Sequence, residues 1–426
     1  MDGRGTFLFV FRASPDVDHM APLAWKLLKE GDEVHAVISP GYEPEADHRL
    51  ELLRGFERFH IHRIDRPAGP RWLRAARAYL RSTLPYALAL LRRSGARVVA
   101  VEWGYGLPAG YDRLRSPAGA VALLRSFGRS LLKARSDPQQ VRSNFIVSAR
   151  VLGVPTVCLP HGLNIKFDNA TNTQLLEMFE SGSLEMKDRN RFDAFVFNTE
   201  FHRQWFLNHA GGDPAVMQTW GSLRWSPEWF DVNRRLAPRF EWPEDTDRVK
   251  VVFMIPKWQN RTRVEEAVDL VLRLQELDGI SLALMGHPRH GRKSFGPLLE
   301  EPGFDLDRVH DVTGQSSVSL IDACDVVIDV GSSIGLEVVM QGKVLVNPAY
   351  IHEIKTVFDT IEGASVTVQS ADEAVDYLRA HASGRPHEVP EEAYAELMRQ
   401  MVYGSREAPF DVLEEYGSRV RALSRS

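Results

Sequence analysis

Three short stretches carry side chains able to hold an anion or move a proton. Gly331-Ser332-Ser333 stands between the apolar run Val326-Val327-Ile328 and the periodic run 334–340, which contains Glu337. Glycine lets the chain turn sharply at a strand's carboxyl end, and serine can cap a following helix whose free N–H groups and dipole favour negative charge. The turn is either a phosphate site or the ordinary cap of a helix in a parallel sheet. Gly286-His287-Pro288-Arg289 closes another apolar run, 281–285. There proline fixes the backbone beside histidine, and His287 and Arg289 offer donors suited to phosphate or carboxylate. Lys257 lies just past a third run, 249–255.

Proton chemistry points to the first half of the chain. Residues 97–101 form an apolar run that delivers Glu102-Trp103-Gly104 to its end, where ligands of open α/β sheets gather. Glu102 there is either a general base or the partner of one of the many nearby arginines. His161, in Pro160-His161-Gly162 after the run 155–159, can reach into a cleft because glycine follows it, or it is a core histidine satisfied by a carbonyl. Asp16-Val17-Asp18 has the form of a metal-binding DxD, but two aspartates before a helix also serve as cap and surface charge. Gly104-Tyr105-Gly106 and the span from Gly335 to Lys343 lack the spacing of a dinucleotide fingerprint and of a P-loop.

The elements that must position these residues follow a βαβ rhythm. Continuous apolar runs at 6–11, 33–38, 97–101, 155–159 and 193–198 read as buried parallel strands, with helices at 21–30, 144–153 and 200–209. The rhythm restarts at 249–255, with a helix at 263–277 and strands at 281–285, 326–328 and 344–346. The expected fold class is α/β, two Rossmann-like βαβ domains facing a cleft. The expected organisation is a first domain at 1–225, a linker at 226–247 rich in Pro, Glu, Asp and Arg, and a second domain at 248–405. A last helical stretch, 406–426, is expected to pack back across the domains.

With 426 residues, 44% of them hydrophobic and 26% charged, the chain can bury two large cores. A net charge of -5 gives no reason to expect a nucleic-acid partner. Charge is unevenly placed, however. Arg71, Arg74, Arg77 and Arg81 recur at helical spacing in a stretch without acids, and Arg125 and Arg129 share one face of a second such stretch. These stripes are either solvated arginine faces or a contact with anionic headgroups. No apolar run is long enough to span a bilayer and no signal peptide is evident, so a cytoplasmic location is expected, peripheral to the membrane if the stripes bind lipid. Cys158 and Cys324 sit in apolar surroundings and read as core thiols.

Two βαβ domains, Pro160-His161-Gly162, Gly286-His287-Pro288 and Ser332-Ser333 followed by Glu337 together resemble the two-Rossmann (GT-B) transferases of bacterial surface polysaccharides. Within that group the chain is similar to the capsule β-Kdo transferases, the bacterial sialyltransferases and the CDP-glycerol glycerophosphotransferases. The resemblance implies a transferase that needs no metal or other cofactor. It implies a nucleotide-sugar donor, cytidine favoured over uridine, and a glycan or glycolipid acceptor. His287, Pro288, Arg289, Lys257 and the turn Gly331-Ser332-Ser333 would hold the donor phosphate, and Glu337 the ribose. Glu102-Trp103-Gly104 looks like the short acidic motif that supplies the base, but with one acid instead of two, which leaves Asp18 as a rival base and His161 as a further cleft residue. A sugar-nucleotide epimerase of the UDP-N-acetylglucosamine 2-epimerase kind shares this fold and a similar acidic helix after a glycine turn. That alternative stays open, as does a non-catalytic scaffold of a polysaccharide assembly.

Overall fold

The computed structural model describes residues 4–65, 70, 79–102, 138–168, 170–244, 247–286, 291–384 and 388–425. The chain folds as two compact units.

The first unit comprises Met1–Leu163, Glu185–Phe230 and Val402–Ser426. Its strands are β1 (Thr6–Phe11), β2 (Glu33–Ile38), β3 (Phe59–Arg63), β4 (Val98–Glu102), β5 (Thr156–Leu159), β6 (Ala194–Phe197) and β7 (Met217–Thr219). They form one parallel seven-stranded sheet in the order β3-β2-β1-β4-β5-β6-β7. Phe7 through Phe11 are at most 1% exposed, because both faces of a parallel sheet are covered and no polar alternation is tolerated. The strand order reverses direction between β1 and β4, the place where the carboxyl ends of such sheets leave a crevice.

The second unit comprises Asn164–Leu184 and Asp231–Met401. Strands β8 (Val249–Met254), β9 (Ile280–Met285), β10 (His310–Asp311), β11 (Val326–Asp329), β12 (Val344–Pro348) and β13 (Val366–Val368) form a second parallel sheet, ordered β10-β9-β8-β11-β12-β13. Its reversal lies between β8 and β11. Each sheet therefore has the Rossmann-like, doubly wound arrangement expected from the apolar runs.

Several boundaries differ from the sequence expectation, each for a local reason. The first helix, α1 (Ser14–Lys29), begins at Ser14 and not at residue 21, so Asp16, Asp18 and His19 belong to its first turns. Pro15 suits a helix start, and the Asp16 carboxylate accepts the backbone N–H of Arg12 at 2.8 Å just ahead of it. Residues 226–247, read as a linker, hold the helix Pro227–Leu236. Residues 164–184 group with the second unit because Phe167 donates its N–H to the Lys355 carbonyl and Val357 to that of Ile165, at 3.2 and 2.9 Å. The closing helix, Val412–Leu423, lies against α1: Lys26 pairs with Glu414 at 2.9 Å, and the fully buried Tyr416 donates to the Gly221 carbonyl at 2.8 Å.

Both cysteines are free and buried, and burial pushes the Cys324 thiol up to about 12, as an inert core thiol requires. Arg81 donates to the Arg63 carbonyl at 2.9 Å, so its guanidinium is tied to the unit's own backbone. Arg71, Arg74, Arg77, Arg125 and Arg129 lie outside the described residues. Among the described residues no helix is long and apolar enough to cross a membrane.

Candidate functional site

In the first unit, β1, β4 and β5 are neighbours, with Val10 opposite Val101 and Glu102 opposite Leu159. The residue after β1, the last residue of β4 and the loop after β5 therefore emerge side by side. Arg12, Glu102 and His161 meet there, and the first turn of α1 adds Asp16. Arg12 holds Asp16 with Nε at 3.0 Å and Nη2 at 3.2 Å, and the same Nη2 reaches Glu102 Oε2. His161 Nδ1 pairs with the other Glu102 oxygen, Oε1. Arg142 donates to the Glu102 backbone carbonyl at 3.1 Å.

Burial divides the labour within this cluster. Glu102 is fully buried and Asp16 is 1% exposed, whereas the His161 side chain is 39% exposed. A carboxylate so enclosed costs several kcal/mol unless opposite charge and donors compensate it, which Arg12 and His161 do. Burial raises the Asp16 pKa, and the Arg12 charge and hydrogen bonds oppose that shift. Glu102 is enclosed in this arrangement, with Oε2 on Arg12 and Oε1 on His161. His161, more open to solvent, pairs with Glu102 through Nδ1, and its outer nitrogen Nε2 is the atom that would accept or return a proton.

Asp18 does not join this group. It pairs with Arg49 and with Arg224, the latter at 3.4 Å. His19 is buried, and burial together with the Arg224 charge holds its pKa well below the usual histidine range, so it is a neutral ring. Asp16, Glu102 and His161 do offer ligand atoms within 4.8 Å of one another. A divalent ion among them would face the Arg12 guanidinium, which already bonds both carboxylates.

The second unit builds its site around the end of β11. Asp329, 3% exposed, accepts the Ser332 N–H at 2.9 Å and the Ser332 hydroxyl at 2.6 Å. Burial pushes its pKa up to about 6 against the pull of those bonds and of Lys166. Gly331 takes φ +66°, the conformation that favours glycine, and a Cβ on it would lie 3.3 Å from His352 Cδ2, close enough that the histidine would have to give slightly, and 3.5 Å from Lys166 Cε. Lys166 Nζ sits 2.7 Å from His352 Nε2, and the His352 Nδ1–H can donate to the Ile354 carbonyl at 3.0 Å. Burial pushes Lys166 down to about 8; Asp329 opposes this, and the charges of Lys257 and Arg261 add to it. Burial and the Lys166 charge push His352 down to about 4. The turn is thus backed by a lysine that is mostly charged at pH 7 and loses its charge just above it, beside a neutral histidine.

Of the residues singled out for the phosphate, Gly331, Ser332 and Ser333 do lie together at this turn, and Ser333 caps the helix Ile334–Met340 without a side-chain hydrogen bond. Glu337 is 1% exposed and accepts the Ser317 hydroxyl at 2.8 Å. Lys257 is partly buried and contributes charge toward Lys166. His287, Pro288 and Arg289 lie outside the described residues.

Sequence reasoning passed over Arg12, Asp16 as a buried site member, Arg142, Lys166, Asp329 and His352. Asp329 was visible as the acid that ends an apolar run two residues before Gly331. Lys166 and His352 carry no local signal, because only the packing of distant loops brings them to the turn.

No family model and no curated protein matches the chain. Solved structures do. The UDP-GlcNAc 2-epimerase of Methanocaldococcus jannaschii in complex with UDP-GlcNAc and UDP is similar over 99% of this chain and 100% of its own, with 11% identity and a TM-score of 0.57. A glycosyltransferase from Rickettsia africae is similar over 99% of this chain and 98% of its own, with 11% identity and a TM-score of 0.54. The S. aureus MnaA–UDP co-structure is similar over 96% and 94%, with 12% identity and a TM-score of 0.52. At such identities the likeness is one of fold: the chain has two Rossmann-like α/β domains of the kind found in UDP-GlcNAc 2-epimerases and GT-B glycosyltransferases.

Proposed function

We propose that the chain is an enzyme of nucleotide-sugar chemistry. The first unit supplies the proton transfer through His161, and the second holds the nucleotide's phosphates at the Gly331-Ser332-Ser333 turn. Among the reactions such a protein can catalyse, we favour epimerisation of a sugar carried on UDP over transfer from a cytidine donor. The observation that carries the reading is the His161–Glu102–Arg12 arrangement: one half-exposed imidazole, backed by a fully buried carboxylate that is itself fixed by a guanidinium. The likeness in fold to UDP-GlcNAc 2-epimerases supports the choice of reaction and carrier.

In this reading His161 Nε2 takes a proton from the sugar carbon next to the anomeric centre. The C–H electron pair forms a carbon–carbon double bond as the anomeric C–O bond to UDP breaks, and re-addition of UDP with a proton delivered to the opposite face completes the inversion. Glu102 accepts the Nδ1–H, fixes the tautomer and stabilises the imidazolium that forms, so it is a positioning residue. Arg12 keeps Glu102 and Asp16 in place. A positioned general base contributes about 10²–10⁴-fold. In the second unit the serine turn and the Lys166 charge stabilise the phosphates, a task best done by preorganised donors. Neither step calls on a metal or a second cofactor.

The second reading is glycosyl transfer, supported by the comparable likeness to a glycosyltransferase. The same His161 would then take the proton of an acceptor hydroxyl on a glycan or glycolipid, with a cytidine or uridine donor. Proton NMR of the purified protein with UDP-GlcNAc in D₂O separates the two. Epimerisation breaks a C–H bond and places solvent deuterium on the sugar with no acceptor present, and His161→Asn stops it. If the protein binds the nucleotide, exchanges no deuterium and releases nucleotide from UDP-, CMP- or CDP-activated sugars only when acceptor is added, epimerisation is refuted and transfer stands.

A further inference from the structure

We propose that Glu33, His35 and His60 form a binding site for a first-row divalent metal ion, zinc foremost, at the amino-terminal end of β2 and β3. The site is independent of the proton-transfer cluster, which lies at the opposite, carboxyl-terminal end of the same sheet.

Strand register brings the three together. His35 of β2 pairs with His60 of β3 across a parallel ladder, so both rings project from one face of the sheet. Glu33 lies two residues before His35 and projects from that face as well. Glu33 Oε1 is 3.2 Å from His35 Nε2 and 3.0 Å from His60 Nε2, and the three ligand atoms all lie within 4.8 Å of one another. Zinc bonds to imidazole nitrogen and carboxylate oxygen run near 2.0–2.1 Å, which sets ligand atoms of a tetrahedral site about 3.3 Å apart. The two spacings from Glu33 Oε1 need to open by only a few tenths of an ångström, and the two imidazole nitrogens lie within 4.8 Å of each other.

A second observation points the same way. His35 Nδ1 lies 2.9 Å from His62 Nε2, so His62 can accept the Nδ1–H and leave the His35 Nε2 lone pair directed at the other two ligands. An outer partner of this kind orients most metal-bound histidines. His35 is 7% exposed, but the Glu33 and His60 side chains are 39% and 41% exposed, which gives an ion a way in and leaves room for water as a fourth ligand. Two imidazoles and one carboxylate suit zinc, copper or nickel and do not suit magnesium or calcium. β3 is the edge strand of its sheet. A metal bridging β2 and β3 would clasp that edge without bearing on the reaction.

The test uses the full chain, stripped with chelator, then titrated with ZnCl₂ by calorimetry and followed by thermal unfolding. The expected result is one equivalent bound, with Tm rising by about 5 °C at a hundredfold excess over Kd. Binding should weaken at least tenfold in His60→Gln and in Glu33→Gln, both on half-exposed side chains, and should be unchanged in His161→Asn. In the unmodified chain, Co²⁺ should shift the NMR signals of the His35 and His60 rings and not those of His161. No saturable binding by the unmodified chain would overturn the site and leave a plain histidine–glutamate ion pair. Equal affinity in His60→Gln, or binding lost in His161→Asn, would overturn it too.

Discussion

Nucleotide binding by the second unit should titrate with Lys166. Burial pushes this lysine down to about 8, so it is mostly charged at pH 7 and mostly neutral at pH 9. Its Cε lies 3.5 Å from where a Cβ of Gly331 would be, so the ammonium sits directly behind the turn proposed to hold the phosphates. A unit charge roughly 6 Å from a phosphate charge is worth about 3 kcal/mol at an effective dielectric constant of 20, or about a hundredfold in Kd. Calorimetric titration with UDP from pH 6.5 to 9.5 should show a Kd that is flat at the low end. It should be about twofold weaker at the lysine's pKa and about tenfold weaker one pH unit above it, since the pair 1.36 kcal/mol and one pH unit is a factor of ten. A bound phosphate stabilises the ammonium and moves the limb of the complex upward, so the free protein's pKa marks where weakening begins. Lys166→Arg should remove the limb while keeping affinity, because arginine stays charged throughout. Lys166→Met should be weak and flat. A wild-type Kd that does not change up to pH 9.5, or a limb that persists in Lys166→Arg, would refute the assignment of Lys166 to the phosphates.

Glu102→Gln should lower kcat by about 10²–10⁴-fold with little change in nucleotide Kd, because it disturbs the ring that moves the proton and not the phosphate site. Glu102→Ala should also lower stability by about 3 kcal/mol in urea unfolding, since it leaves the Arg12 charge only Asp16 as a partner; unchanged midpoints would show that Glu102 does not hold Arg12. Gly331→Ala should cost about 1 kcal/mol or more of stability and weaken UDP about tenfold, because alanine must adopt φ +66° with His352 3.3 Å from its methyl; a variant that binds UDP normally would remove the turn from the site. His202, buried and pushed down to about 3, resists protonation in the folded chain, so the unfolded chain binds more protons below pH 6.5. Its contribution is complete above that pH and is lost on acidification, by about 3 kcal/mol at pH 4.5. His202→Leu should flatten this acid limb in urea unfolding between pH 7 and 4.5, and equal slopes would refute it.

Much of this protein was legible residue by residue. The run Thr6–Phe11 is a strand in both sequence and structure, and Glu200–His209 a helix, because fully buried parallel strands and capped helices leave continuous or periodic apolar signals over a few residues. The Gly331-Ser332-Ser333 turn was legible for the same reason, since a left-handed glycine between a strand and a helix is a local requirement. The cytidine donor and the lipid-facing arginine stripes were inferred from resemblance and from helical spacing. Of the stripe, Arg81 alone lies in the described residues, and one nitrogen of its guanidinium donates to the Arg63 carbonyl.

The local sequence could not say which charged groups would meet. Glu102 was singled out in the sequence, but not its partners: a carboxylate enclosed at the end of a central strand must find a cation, and Arg12 and His161 close over it. Asp16 and Asp18 look alike in the sequence, yet two residues along a helix turn them to different sides, one to Arg12 and the other to Arg49 and Arg224. Lys166 and His352 come together only because the loop after β5 bridges the segment at Thr356. Strand identity, helix identity and the phosphate-favouring turn follow from the sequence by itself, since each depends on neighbours a few residues apart. The Arg12–Glu102–His161 cluster and the burial of Lys166 were decided by tertiary structure, because strand order and register, which join residues far apart in the chain, set the distances at which charges are buried together.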